Sequence, residues 1–176
     1  ASDVYKRQHV LNSKYNPCGS SSGSAVAVAS GLVDIAIGTE TNGSISCPSS
    51  INGIIGFKPT VGLVSRSGII PISSSQDTAG PMGQTLEIVA KTLEVISGYD
   101  PNDNATSFIP EDFNFNFVDV TNNRRLDGIR FGLLNADNQH PQVIQFHNEI
   151  KAIVKKLGGD VIDIKDCLLY TSPSPR

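Results

Sequence analysis

Ser44 has the surroundings in this chain best suited to nucleophilic chemistry. It lies in a polar turn, TETNGSISCP at residues 39–48, directly after an apolar run. Asn42 and Gly43 tolerate left-handed backbone, which lets successive N–H groups point into one concavity. Such groups can hold the oxyanion that forms when a serine attacks a carbonyl. The predicted backbone donors are Thr41, Asn42, Gly43 and Ser44. The alternative is a structural turn whose hydroxyl only caps a helix near Pro48.

A second serine cluster, GSSSGS at residues 19–24, precedes a small apolar run that ends at Gly31. It matches the G-x-S-x-G nucleophile elbow, but that elbow needs a strand immediately before it, and Asn16-Pro17 breaks the preceding segment. The apolar run behind the serines also disfavours a flexible linker. No G-x-x-x-x-G-K-[ST] phosphate loop occurs in the sequence.

The elements that must position these serines alternate between strands and helices, which predicts an α/β fold. Helices are predicted over 24–31, capped by Ser24, over 85–97, capped by Thr85, and over 141–157. A further short helix is predicted to begin near Pro48. Residues 61–84 and 101–115 are predicted as loops. Strands are predicted over 33–38, 53–60, 129–135 and 160–164.

Composition excludes several classes of function. The 176 residues are 39% hydrophobic and 18% charged, with a net charge of −3 and no basic block, which disfavours direct binding of nucleic acid. No apolar run approaches the roughly 18 residues of a membrane span. The three cysteines are far apart, so no disulfide or metal-ligand spacing can be identified, and Cys47 is expected to be a small buried residue. A cytoplasmic location is expected.

Together the serine segments resemble the amidase signature family of serine hydrolases. That family's pattern of GGSSGGSA, then GTDTGGSIRxPA, then GxxGxKPT corresponds here to CGSSSGSA from Cys18, GTETNGSISCPS from Gly38 and GIIGFKPT from Gly53. The segment GLVSRSGIIPISSSQDTAGPM at 62–82 continues the resemblance. The implied fold is part of a mixed β-sheet flanked by helices on both faces.

The resemblance implies a Ser-cisSer-Lys mechanism that needs no cofactor and no metal. Ser44 is the implied nucleophile, and Ser20, 24 residues earlier, is the serine with the cis peptide bond that relays the proton. Ser21 and Asp77 are expected to support the site, Asp77 as a carboxylate that holds a loop. The family lysine lies far upstream of the relay serine, and neither Lys14 nor Lys58 matches it. The histidines His9, His140 and His147 lie outside every motif.

Some positions depart from the family pattern. Asn42 replaces a glycine, which a left-handed backbone would accommodate. Glu40 stands where the family has aspartate, and Ser46 stands where it has arginine, which puts any charge pairing there in doubt. Cys18 and Ser22 also replace glycines.

The sequence therefore predicts an amidase that converts a small-molecule amide to acid and ammonia or amine. A glutaminase subunit of a transfer-RNA-dependent amidotransferase and a non-catalytic binding protein of the same fold are the alternatives. A homodimer stays open. One domain is expected over 9–166. The tails at 1–8 and 167–176 resemble translated sequencing adapters and are expected to be non-native, so the chain is expected to be an internal piece of a longer protein, inactive without the lysine.

Overall fold

The computed structural model describes residues 9–10, 12, 14–122, 125–134 and 139–164. The predicted non-native tails lie outside these residues. The described residues fall into two compact units, one ending at Asn122 and one beginning at Arg125. The predicted boundaries of 9–166 for one domain stay a prediction.

The first unit is built on a three-stranded antiparallel sheet. Its strands are β1 (Ile35–Glu40), β2 (Ile55–Gly56) and β3 (Thr78–Gly83), in the order β1-β3-β2. Gly38 pairs with Gly80, and Ile55 pairs with Gly83. The described part of this unit also has four α-helices, α1 (Ser22–Ala29), α2 (Ser46–Asn52), α3 (Leu86–Ile96) and α4 (Phe117–Asn122), and a 3₁₀ turn at Asn104–Phe108.

The central strand β3 has a hydrophobic cluster on each face. Met82 packs with Ala25 and Ile45, whereas Ala79 packs with Val64 and Leu93. Because side chains of a strand alternate between faces, these clusters lie on opposite sides of the sheet. The serine-bearing segments therefore occupy one face and α3 the other, so helices cover both faces of this sheet.

The prediction of a loop over 61–84 is wrong at its end, because Thr78–Gly83 forms the central strand and every residue of it is buried. The sequence TAGPMG lacks the β-branched and aromatic residues that are typical of strands. The glycines are needed for close packing: a Cβ on Gly80 would meet the Phe57 carbonyl and the Pro59 ring. Strand formation here depends on tertiary packing and not on local propensity.

The helix predictions are partly confirmed. Helix α3 is one residue shorter at each end than predicted, and the Thr85 hydroxyl caps it by accepting from the Ile88 N–H at 3.3 Å. Helix α1 begins at Ser22 with no side-chain cap, so the prediction that Ser24 caps it is wrong. The Ser24 hydroxyl instead donates to the Ile37 carbonyl of β1 at 2.9 Å. Helix α4 was not predicted from the sequence.

The remaining bounds also differ from expectation. The short helix begins at Ser46, two residues before Pro48. The strand predicted over 53–60 is reduced to Ile55–Gly56.

The second unit follows the sequence predictions closely. Strands β4 (Arg130–Leu134) and β5 (Asp160–Ile164) pair in parallel, and α5 (Pro141–Lys156) connects them. Pro141 occupies the first turn of α5, where its missing N–H costs nothing. Apolar positions at helical spacing and a clear stop at Gly158 made this helix readable from the sequence.

Alanine at Gly80 is expected to destabilise the first unit by about 3 kcal/mol, because the added methyl overlaps backbone that cannot move away. Chemical denaturation gives the change in the free energy of unfolding. Gly23→Ala is the matched control: apart from its chain neighbours and the backbone of its own helix, no described atom lies within 4 Å of a Cβ added there, and alanine in a helix is expected to stabilise by about 0.5–1 kcal/mol. Equal effects of the two substitutions would contradict the close packing described for β3.

Candidate active site

The fold brings the two predicted catalytic serines to one small cavity of about 20 Å³. The Ser21 N–H donates to the Ser44 carbonyl at 3.2 Å, which joins the two serine segments directly. The Gly19–Ser20 peptide bond is cis, as the resemblance implies. Within the described residues no hydrogen bond joins the Ser20 and Ser44 hydroxyls. The cavity is lined by Ser20, Thr39, Glu40, Thr41, Ser44, Ile69, Ile70, Ile72, Asp77 and Thr78.

Glu40, at the end of β1, holds the turn that carries Ser44. Its side chain is only 6% exposed, and its carboxylate accepts from the N–H groups of Gly43 at 2.8 Å, Ile45 at 2.7 Å and Ser46 at 2.8 Å. The Ser46 hydroxyl also donates to it, at 3.1 Å. Ser46 therefore acts here as a hydroxyl partner of the carboxylate. Sequence reasoning noted Glu40 only as a replacement for aspartate and missed this role.

These contacts keep Glu40 ionised. Burial by itself raises the pKa of the Glu40 carboxyl, but hydrogen bonds from the Ser46, Ile45 and Gly43 N–H groups and from the Ser46 hydroxyl outweigh it. The net pKa is below the ordinary value for glutamate. The ionised carboxylate therefore holds the turn in place as a hydrogen-bond acceptor for its backbone N–H groups.

The backbone N–H groups of the turn divide into two sets. The Gly43 N–H is already donated to Glu40, whereas those of Thr41, Asn42 and Ser44 have no partner among the described residues. Gly43 alone in the turn has a positive φ, at 88°. Asn42, for which the sequence allowed a left-handed conformation, does not adopt a positive φ. An oxyanion site at this turn has Thr41, Asn42 and Ser44 as its available donors.

Asp77 connects the same turn to the loop before β3. One carboxylate oxygen accepts from the Thr41 hydroxyl, and the other accepts from the Ile72 and Ser73 N–H groups, each at 2.8 Å. The Thr41 hydroxyl bond, followed by these N–H groups and the Arg66 charge, lowers the pKa of Asp77 against the opposing effect of burial. The geometry is that of a loop-holding carboxylate, as the sequence suggested.

Ser21 fixes the start of α1 to the outer edge of β1. Its hydroxyl accepts from the Thr39 N–H and donates to the Thr39 carbonyl, both at 3.1 Å. Thr39 is in register with Ala79 of β3, and within the described residues β1 has no strand on its other side, so Ser21 provides the partners for the Thr39 backbone at that outer edge. This contact places Ser20, its neighbour, beside the end of β1.

A disulfide joins Cys18 to Cys47, with their Cα atoms 5.9 Å apart. Cys18 lies two residues before Ser20 and Cys47 three residues after Ser44, so the bond links the two serine segments covalently. The expectation that Cys47 is only a small buried residue is wrong. The spacing of the cysteines did not reveal the pair; their positions beside the two serine motifs are the signal that could have done so.

Reduction of this disulfide is expected to lower the free energy of unfolding by about 3 kcal/mol. The bond spans a sequence separation of 29, and a cross-link over a loop of that size restricts the unfolded chain by about that amount. Denaturation with and without a dithiol measures the difference. The double variant Cys18→Ser with Cys47→Ser should not respond to the dithiol. A wild-type protein equally indifferent to the dithiol would show that the two thiols are unpaired in solution.

Removing the Glu40 carboxylate is expected to lower the free energy of unfolding. Glu40→Ala leaves three N–H groups without their acceptor, at a cost of about 3 kcal/mol or more. Glu40→Gln keeps one acceptor oxygen and should lie between alanine and wild type. Denaturation curves test this, and a Glu40→Ala protein as stable as wild type would contradict it.

Because of the Glu40 carboxylate, the free energy of unfolding is expected to depend on pH. Because its pKa is lowered in the folded state, its contribution is complete above the ordinary glutamate pKa of about 4.3 and is lost as the pH falls through the lower folded value. Free energies of unfolding measured across this range should therefore fall more steeply with acid in wild type than in Glu40→Gln.

The described lining of the cavity contains carboxylates but no nitrogen base. None of its described lining residues is lysine, arginine or histidine. Lys58 contacts the Gln76 carbonyl at 3.4 Å, and the His9 ring contacts the Ile51 carbonyl at 2.8 Å.

Among the described residues, no group of three or more His, Cys, Asp or Glu side chains is placed to hold a metal ion. No helix in the described part of the chain is long and apolar enough to cross a membrane.

The chain is similar to known proteins of one family. The family model described as Amidase matches residues 6–169. A putative amidase of Arthroderma benhamiae is 41% identical over 155 residues, which are 86% of this chain and 26% of that protein. A glutamyl-tRNA(Gln) amidotransferase subunit of Trichodesmium erythraeum is 40% identical over 150 residues, 82% of this chain and 30% of that protein.

A solved structure agrees with these matches. The native peptide amidase of Stenotrophomonas maltophilia is 44% identical and superimposes with a TM-score of 0.77, over 90% of this chain and 33% of that one. The predicted α/β fold is thereby confirmed as part of a larger one, since the chain spans about a quarter to a third of the length of these relatives. The chain belongs to the amidase signature family.

Proposed function

We propose that the protein hydrolyses a carboxylic amide through a covalent acyl-enzyme on Ser44. The observation that carries this proposal is the meeting of Ser20 and Ser44 at one cavity, beside backbone N–H groups that lack partners within the described residues. Glu40 and Asp77 fix the turn from opposite ends. A nucleophile, a proton relay and an oxyanion site are the parts that acyl transfer requires.

The chemistry follows from these parts. The Ser44 oxygen bonds to the amide carbon while its proton passes to the Ser20 oxygen, and the Ser20 proton passes to a neutral lysine. The negative oxygen of the tetrahedral intermediate accepts from the Thr41, Asn42 and Ser44 N–H groups, and one such donor contributes about 3–4 kcal/mol in related enzymes. The C–N bond then breaks, and the nitrogen leaves with the proton returned through Ser20. Water attacks the Ser44 ester, which releases the acid and restores the hydroxyl.

The lysine is expected from the part of the protein upstream of these residues, as the family resemblance implies. The experiment compares ammonia release from a panel of amides by the 176-residue chain and by the protein extended upstream along its gene. We expect turnover from the extended protein and less than about 1% of it from the chain alone, since a relay without its base loses on the order of 10²-fold to 10⁴-fold. Comparable turnover by both would remove the lysine from the mechanism. No turnover by the extended protein would favour the non-catalytic binding alternative.

A second candidate is a glutaminase subunit that supplies ammonia to an amidotransferase. The observation in its favour is the 40% identity to a glutamyl-tRNA(Gln) amidotransferase subunit. A protein of this kind would act on glutamine together with partner subunits that carry the transfer RNA. Hydrolysis of simple amides by the isolated protein favours the first candidate, and glutamine hydrolysis that requires added subunits favours the second.

The proposed partner is a small-molecule amide, with no direct contact to nucleic acid, and a homodimer stays a prediction. The cytoplasmic location also stays a prediction. The Cys18–Cys47 disulfide weighs against it, because structural disulfides are rare in reducing compartments. Alkylation of free thiols during cell lysis, followed by mass spectrometry of the two cysteines, distinguishes the compartments.

A further inference from the structure

We propose that Ile70 and Ile72 form an apolar wall for the acyl group of the substrate, so that the protein prefers amides whose acyl chain is aliphatic or aromatic and uncharged. This inference rests on the proposed function, since it names the substrate class of the same site. It is carried by the loop between Arg66 and Asp77, called here the isoleucine loop, which lies beside both serines.

Three isoleucines of this loop lie at the cavity. Ile69, Ile70 and Ile72 all line it together with Ser20 and Ser44. Ile70 is 89% exposed and Ile72 is 78% exposed, so neither is covered by the described residues. Exposed apolar residues are common singly, but two beside a pair of reactive hydroxyls offer a bound acyl chain surface to remove from water.

The isoleucine loop is held by hydrogen bonds at both ends, and its Asp77 end is bonded to the site itself. Asp77 accepts from the Ile72 and Ser73 N–H groups while it also accepts from the Thr41 hydroxyl of the nucleophile turn. Its own N–H donates to the Ser73 carbonyl at 2.8 Å. The backbone at Ile72 is therefore held in a fixed relation to the turn that carries Ser44, which is the condition for a side chain to select among substrates.

The opposite end of the loop is held by Arg66. Its backbone N–H and its guanidinium donate to Asp103 at 2.7–2.8 Å, and a further guanidinium N–H donates to the Ser74 carbonyl. The hydrogen bonds and charge of Arg66 hold the pKa of Asp103 well below its usual range, so the pair stays ionised. Ile69 is held close to Arg66, because its N–H donates to the Arg66 carbonyl at 2.9 Å.

The charges at the cavity disfavour an acidic substrate. Glu40 and Asp77 are the two ionisable groups among its described lining residues, and both already accept several hydrogen bonds. Arg66, the cation of the isoleucine loop, is committed to Asp103 and Ser74. A carboxylate on the acyl chain would find two like charges and no uncommitted cation among the described residues that line the cavity, whereas an alkyl chain would meet isoleucine.

The test uses three primary amides, so that the leaving group is ammonia in every case. Acetamide has no chain to contact the wall, hexanamide has an alkyl chain, and adipamate has the same chain length with a terminal carboxylate. Values of kcat/KM are measured for the protein at the length its gene encodes, for Ile70→Ala and for Ile72→Ala. Val95→Ala is the matched control, since Val95 is 84% exposed on α3 and does not line the cavity.

We expect the hexanamide to acetamide ratio of kcat/KM to fall about tenfold in Ile72→Ala, the effect of losing apolar contact in a pocket, and to stay unchanged in Val95→Ala. Adipamate should be at least tenfold poorer than hexanamide in wild type. Thermal melts of each variant separate a lost contact from lost folding. Equal ratios in all variants, or adipamate as good as hexanamide, would overturn the inference and leave the amidase proposal intact. Absence of hydrolysis for all three amides by wild type would overturn both.

Discussion

Ser44→Ala, made in the protein at its gene-encoded length, is expected to reduce amide hydrolysis on the order of 10⁶-fold, because the proposed covalent step needs the oxygen that the substitution removes. The N–H groups of the turn do not depend on that side chain, and Glu40 still holds the turn through Gly43, Ile45 and Ser46. Folding should therefore be retained, and substrate should still bind. Initial rates of ammonia release and a melting curve measure both properties in the same preparation.

The control for Ser44 is an exposed serine in the helix that follows it. Ser50 of α2 is exposed and does not line the cavity. Ser50→Ala should leave kcat and KM within about twofold of wild type, since surface substitutions of this kind cost at most about 0.5 kcal/mol. A Ser44→Ala protein that keeps more than about a hundredth of wild-type activity would mean that another residue is the nucleophile.

Ser20→Ala is expected to lower kcat about 10³-fold with little change in KM, which is the usual size of an effect on proton transfer. Ser20 shares the cavity with Ser44, and the backbone bond from Ser21 to Ser44 holds the two segments together without the Ser20 hydroxyl. The loss should therefore be chemical and not structural. Ser30→Ala, at the exposed end of α1, is the control.

The size of the Ser20 effect separates two roles. A relay predicts a fall in kcat at every pH, because Ser20 is the group proposed to take the proton of Ser44, and the Glu40 and Asp77 carboxylates at the cavity already hold the backbone of the turn and the loop. A merely structural Ser20 predicts a lower melting temperature with kcat nearly unchanged. A kcat within tenfold of wild type would end the relay assignment.

The two serines of the candidate site could be predicted from the sequence, because they occur in short motifs of defined order. Ser20 and Ser44 occur in segments of defined order and spacing, and the structure places both at one cavity. Helix α3 was equally readable, since Thr85 supplies a cap and apolar residues recur at helical spacing. Local patterns of this kind can be recognised without any knowledge of the fold.

The features missed were those set by contacts between distant residues. The strand Thr78–Gly83 has a loop-like composition, and only its burial on both faces makes it a strand. Glu40 holds the turn only because the chain folds back so that the backbone N–H groups reach its carboxylate. The presence of glutamate in place of the family aspartate does not reveal this contact. The Cys18–Cys47 pair likewise depends on the folding of two segments against each other.

The measurement that tests the central claim most directly is the location of the acyl group during turnover. The protein at its gene-encoded length is mixed with hexanamide, quenched in acid within the first turnovers and digested, and the peptides are fragmented in a mass spectrometer. The account predicts an added hexanoyl group on Ser44, which hydroxylamine removes, and none in Ser44→Ala. A hexanoyl group on Ser20 or Cys47, or steady turnover with no adduct on Ser44 at any quench time, would contradict it.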